Sequence, residues 1–399
     1  MAFYHHNTLE RTLPNSIRYN FVYLLAIIFT FHSLVVAFSN STYLEGFIDA
    51  KYVGLLFSLG SLGSILLFLT LPDIMRRFGN VLTTIITMAG AVTALLLMGF
   101  ALSPLVVIIS FVVFLALNPL GYFSIDVFSE TLIGNDENDT GKKRGIVLAL
   151  MSVAALSAPL MIGTIVGEAD NLARLYFVAA GVGVLFIFVV VGIFRQFYDP
   201  VYQPLPLRSL YALMRENTSI SVVIYNHFLL QLFFSWAIIY IPLYLATEIG
   251  LGWDTIGLII AAGLLAFAIF EYPAGYIADK FIGEQEMMAV GFLILALTVA
   301  GIAMVAPLGV AGWMALMFIN RTGASLVEAT TESYFFKCVK GEDAGLMSIF
   351  RLLRPLAVLC GSLLGTACLI ILPFQFIFFV LALVLISGIF VTQFLVDTK

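Results

Sequence analysis

Charge is what this chain has least of. Charged residues make up 11% of its 399 positions, against about a quarter in soluble globular domains. Apolar residues reach 61% and the mean hydropathy is +1.07, a balance that excludes a soluble protein of this length. The scarcity also excludes nucleic acid as a partner, because no basic stripe or basic-aromatic module is present. Cysteine is almost missing. Cys338, Cys360 and Cys368 show neither CxxC nor histidine spacing, so no disulfide framework or metal site is expected. A GxxxxGKS/T phosphate loop is absent, which argues against direct use of ATP. His-Glu-x-x-His, a Ser-His pair and an aspartyl dyad are absent too, so neither enzyme chemistry nor a cofactor is expected. The chain opens on a polar stretch, and the first apolar run is too long for the core of a cleavable signal.

What the chain does have is long apolar runs. A helix needs roughly 20 apolar residues to cross a bilayer. Twelve such spans are predicted: 19–39, 51–71, 80–101, 104–131, 145–167, 173–197, 219–247, 253–278, 286–307, 309–336, 344–370 and 372–396. The fold class is therefore an all-α, multi-pass membrane protein. Connections are short, as in helical bundles. The exception is 198–218, which holds Pro200, Pro204 and Pro206 and a short amphipathic pattern of Leu207, Leu210, Leu213 and Met214. It reads as a cytoplasmic linker between an N-terminal half (1–197) and a C-terminal half (219–399).

Lysine and arginine placement sets the orientation. One side would carry Arg11, Arg18, Arg76, Arg77, Lys142, Lys143, Arg144, Arg195, Arg208, Arg215, Lys280, Lys337, Lys340 and Lys399, and the other only Lys51 and Arg174. Both termini are thus expected in the cytoplasm. The sequon-like Asn40-Ser-Thr falls on the opposite side.

The two halves repeat. Asn118, Gly121, Asp126 and Glu130 recur as Asn320, Gly323, Glu328 and Glu332, each 202 positions later. Gly54 echoes Gly257, Gly79 echoes Gly283, and Gly145 echoes Gly345. Parallel six-helix repeats are a mark of transporter architecture. Carboxylates at membrane depth cost roughly 2.5–3.5 kcal/mol each on insertion scales, so a duplicated set points to function.

With two six-helix halves, cytoplasmic termini and a glycine-acid-basic motif after helix 2 echoed after helix 8, the chain resembles the major facilitator superfamily. The second copy of that motif is Gly275-Tyr-Ile-Ala-Asp279-Lys280-Phe-Ile-Gly283, with one residue more than usual between Asp and Gly. The first is Pro72-Asp73-Ile-Met-Arg76-Arg77-Phe78-Gly79, where Arg76 holds the usual Asp position. The resemblance implies secondary active transport of a small solute by alternating access, a monomer in the plasma membrane (the inner membrane of a Gram-negative cell), and a cavity lined by helices 1, 4, 7 and 10.

The polar residues sort onto those four helices: His32; Asn118, Tyr122, Asp126 and Glu130; Asn226, His227 and Gln231; Asn320, Arg321, Glu328 and Glu332. Asp126, Glu328, His32 and His227 are the candidates for carrying a proton, with the proton gradient as driving force. Asp126 comes first, because it and Glu130 are expected to have no cationic partner within the first half's spans. Asn118, Tyr122, Asn226, Gln231, Asn320 and Arg321 are the substrate-cavity candidates, with interhelical bonding the alternative for Asn226 and Gln231. Asp73, Arg76, Arg77, Glu130, Glu271, Gly275, Asp279, Lys280, Glu332, Arg351 and Arg354 are expected to form a cytoplasmic gate. Two substrates compete: efflux of an amphipathic compound, suggested by the aromatic content, and transport of a small anionic metabolite, suggested by Arg321. A non-transporting receptor or assembly partner on the same scaffold is the alternative of another class.

Overall fold

The computed structural model describes residues 15–133, 137–202, 211, 214–304, 308–338 and 344–396. Among these the chain is helical throughout, apart from short turns. Ten helices are long and apolar enough to cross a membrane by length and composition. One of the ten, Ala50–Phe100, is broken at Gly79 (φ 74°, ψ 166°), and we count its two parts separately. The helix Val310–Cys338 is less apolar, carrying Asn320 and Arg321 near its middle, yet it is as long as its neighbours. The described residues thus contain twelve long helices: α1 (Asn15–Ala37), α2 (50–78), α3 (80–100), α4 (Pro104–Ile133), α5 (Glu137–Val166), α6 (Ala173–Ile193), α7 (Thr218–Thr247), α8 (Trp253–Ile277), α9 (Glu284–Met304), α10 (Val310–Cys338), α11 (Ala344–Ile371) and α12 (Ile377–Thr392). Several outrun the apolar spans. Hydropathy marks only the lipid-facing stretch, whereas α2 continues through Pro72–Phe78 until Gly79 stops it.

Packing repeats with the sequence. In the first half α1 contacts α4, α5 and α6, and α4 packs on α2 and α3. In the second half α7 contacts α10, α11 and α12, and α10 packs on α8 and α9. The halves meet through α2 against α11 and α5 against α8, again a symmetric pair. A short helix, Asn40–Glu45, is an addition that hydropathy did not reveal, and it lies across α7 of the other half. Tyr43 donates to the Met98 carbonyl at 2.5 Å and Tyr176 to Asn40 Oδ1 at 3.0 Å. Asn40 is therefore buried, and the sequon it begins is not presented to solvent.

Local chemistry explains how irregular residues fit. Pro119 lies inside α4 and cannot donate to the Leu115 carbonyl. Ser64 of α2 donates to that carbonyl at 2.9 Å instead, the kind of replacement a membrane interior demands. The extra residue between Asp279 and Gly283 is absorbed as a π-helical turn, Ala278–Ile282. The Gly283 amide reaches back five residues to the Ala278 carbonyl at 3.1 Å. Gly283 itself has φ 119°, so the glycine is required there. Cys360 and Cys368 are free thiols.

Candidate functional site

The inter-half contact is built on the repeated glycines. A Cβ on Gly54 of α2 would overlap the Tyr240 and Thr366 hydroxyls and lie 2.6 Å from the Ser362 carbonyl. A Cβ on Gly257 of α8 would overlap the Pro159 carbonyl of α5, and one on Gly163 would lie 2.6 Å from Asp254 Cα. Pro159 and Ser362 occupy matching positions 203 residues apart, as do Gly54 and Gly257. Ser58 and Ser362 add a hydrogen bond of 2.6 Å. All these residues lie toward one end of the bundle, the end read as non-cytoplasmic.

The carboxylates of the repeated motif lie toward the other end. Asp126 is half-buried on α4, and Glu130 is exposed one turn later. Both take part in polar interactions, so the candidacy of Asp126 rests on its place on α4. Glu130 and Lys143 both act electrostatically on Tyr19, and Lys143 sits 5.4 Å over the Tyr19 ring. In the second half Glu328 lies within the electrostatic reach of Glu332, Glu271, Arg354 and Arg321, one cluster spanning α8, α10 and α11. Glu271 and Arg354 are exposed. The side chains of Asp279 and Arg351 fall outside the described residues, as does the linker pattern at Leu207, Leu210 and Leu213.

Other candidates settle into helix–helix contacts. His32 is buried, with Nδ1 2.7 Å from the Ala179 carbonyl of α6, in the space that Gly183 leaves open. Asn118 Oδ1 accepts from Ser33 of α1 at 3.1 Å. Tyr122 meets Phe29 edge-on, ring centroids 4.6 Å apart. Asn226 donates to Thr392 of α12 at 2.8 Å. Asn320 donates to Thr298 of α9 at 2.9 Å. His227 lies 3.4 Å from Thr331 Oγ1 and 3.2 Å from Gln231 Nε2, its ring 3.9 Å from Phe350. The Asn226 and His227 bonds tie α7 to α12 and α10, the role that polar side chains take inside membranes.

The loop motifs differ between halves. In the first, Asp73 pairs with Arg76 one helical turn away, and Arg77 is exposed. In the second, Gly275 faces open space and Lys280 lies 4.6 Å over the Tyr276 ring. Two groups that sequence reasoning missed complete these corners. Asp199, just past α6, accepts from the Asn80 amide and from the Tyr202 hydroxyl, each at 2.6 Å. It thereby caps α3 in the turn that Gly79 makes. Burial and the Asp199 carboxylate push the Tyr202 hydroxyl well up from its ordinary value, so it remains a donor. Met75, Arg76 and Pro200 join these residues around a pocket of about 220 Å³. Glu284, almost wholly buried at the start of α9, pairs with Lys337 of α10 at 2.7 Å. Its only sequence signal is an acid in a helix's first turn.

Two six-helix halves thus join across α2–α11 and α5–α8. Residues 223–399 match the family model described as Major Facilitator Superfamily. The fold is that of two solved structures of nucleoside transporter NupG. One, a point mutant, superposes with a TM-score of 0.72 over 93% of this chain and 99% of that one, at 12% identity. The other gives 0.71 over 96% and 98%, also at 12% identity. No curated protein sequence matches the chain. The family model covers the second half of the chain, and the likeness of fold runs over its whole length.

Proposed function

We propose that this chain is a member of the Major Facilitator Superfamily, a proton-coupled secondary transporter working by alternating access, with Asp126 and Glu328 as the coupling carboxylates. One observation carries the reading. Among the described residues, the close approaches between halves gather at one end of the bundle, at Gly54 and Gly257 and their partners. The carboxylates of the repeat lie toward the other end. A bundle sealed at one end by two symmetric contacts, with ionisable groups facing away from the seal, suits rocking between two states. Protonation on one side and release on the other would bias that equilibrium by changing the charge buried in each state. The proton gradient then drives transport, and the membrane potential adds about 2.3 kcal/mol per charge per 100 mV.

The test is flux into proteoliposomes under an imposed pH gradient. The panel includes organic anions, amphipathic cations and nucleosides, the last because both structural neighbours are nucleoside transporters. The wild type should move a solute in one direction with the gradient, and that direction distinguishes efflux of an amphipathic compound from anion uptake. Asp126→Asn should abolish gradient-driven flux and leave solute exchange intact. Unchanged dependence on the gradient would remove Asp126 from the coupling step. Absence of any flux would favour a receptor on the same scaffold.

A further inference from the structure

Arg321 stands near the middle of α10, where an arginine is hardest to hold in a membrane. Its guanidinium lies 5.1 Å from the Phe233 ring and 5.7 Å from the Phe234 ring, both on α7. Phe234 packs in turn against Phe267 of α8, centroids 5.9 Å apart. The arginine stem crosses Gly263 of α8, where a Cβ would come within 3.0 Å of Arg321 Cγ. Among the described residues no acceptor lies within hydrogen-bond distance of the guanidinium and no carboxylate within ion-pair distance. Glu328, two turns along the same helix, acts on it only through the field. Arg321 is 7% accessible and Phe233 wholly buried, while Phe234 is half-buried. The matching position of the first half is Pro119, so the charge has no symmetric counterpart.

A structural arginine in such a place would be expected to be matched to a carboxylate or backbone carbonyls. Two phenyl faces offset only part of the cost of desolvating a guanidinium, and its five donors point nowhere else. A planar oxyanion is the group that matches them in pairs. Resting on the transporter reading, we propose that Arg321, Phe233 and Phe234 form the binding point for an organic oxyanion with an apolar or aromatic body. Arg321 would take the carboxylate or phosphate, and the half-buried Phe234 ring would take the body.

Thermal unfolding of the detergent-purified protein tests this with four probes: benzoate, phenyl phosphate, inorganic phosphate and neutral benzamide. A ligand that binds the folded state raises the melting temperature. Benzoate or phenyl phosphate should raise it by several degrees, and which of the two acts more strongly identifies the oxyanion. Benzamide and inorganic phosphate should act far less. Arg321→Met should cancel the rise while melting at least as high as the wild type, because an unmatched charge has gone. Arg321→Lys should keep a reduced rise. The proposal is overturned if no organic anion shifts the wild type, if benzamide or inorganic phosphate shifts it equally, or if the rise survives in Arg321→Met. A lower melting temperature for Arg321→Met would make the arginine structural and overturn it too. Binding without flux in proteoliposomes would overturn the transport reading and leave this site standing.

Discussion

The two halves solve the same joint with different chemistry. After the break at Gly79 the first residue of α3 is Asn80, and after the break at Gly283 the first residue of α9 is Glu284. Both are buried. Asn80 donates from its side chain to the Ser124 carbonyl at 3.1 Å, and its amide is capped by Asp199 from beyond α6. Glu284 sits in the first turn of its own helix and pairs with Lys337. The first half buries an amide here and borrows an acid, whereas the second buries the acid itself and pairs it with a half-exposed lysine. The repeated asparagines diverge likewise: Asn118 is bonded to α1, Asn320 to α9. Duplication preserves which helices touch and leaves free the bonds that hold them. The family model matches only the second half, whose loop motif keeps Gly275 and Asp279. In the first half Pro72 and Arg76 stand in those places.

The sharpest way to break the comparison is at the seal. Gly257→Val would set a branched side chain against the Pro159 backbone carbonyl, which cannot move aside, and should abolish gradient-driven flux. Gly54→Ala should be milder, because two of its three neighbours are rotatable hydroxyl groups, of Tyr240 and Thr366. Equal loss in both would mean that the two contacts are equivalent. Next in size is Lys337→Met, which takes the cation from a buried carboxylate. Breaking a buried pair costs about 3 kcal/mol at the lower end of the usual range, and the half-exposed lysine argues for that end. The melting temperature should fall by several degrees, and partial recovery in Lys337→Met with Glu284→Gln would tie the loss to the pair. The smallest effect belongs to the borrowed acid. Asp199→Ala removes a helix cap worth about 1 kcal/mol, and a drop in melting temperature as large as that of Lys337→Met would erase the contrast between the two corners.

The twelve spans, the register of the repeat and the glycines of the seal were legible because each is written locally, in apolar length or in a recurring spacing. The extra residue before Gly283 was visible as an irregularity, though not as a π-helical turn. What stayed hidden depends on contacts between distant segments. Nothing near Asp199 announces that it will cap a helix that begins at Asn80, and nothing near Lys337 points to Glu284. The direction in which Asn226 and Asn320 turn was hidden for the same reason. Helix number can be counted, but the face a side chain presents depends on rotation against neighbours. Ser64 could not be matched to Pro119 until α2 and α4 were side by side.

On the alternating-access proposal, the seal at Gly54 and Gly257 also bears on how readily the bundle could change state. Interlocked side chains must leave their rotamers and find new ones before two helices part, and each such step adds to an activation barrier. Here the helices meet where glycine presents no side chain to interlock, against the Ser362 and Pro159 carbonyls. If the bundle rocks as proposed, separation at those points requires fewer side-chain rearrangements than an interlocked contact would.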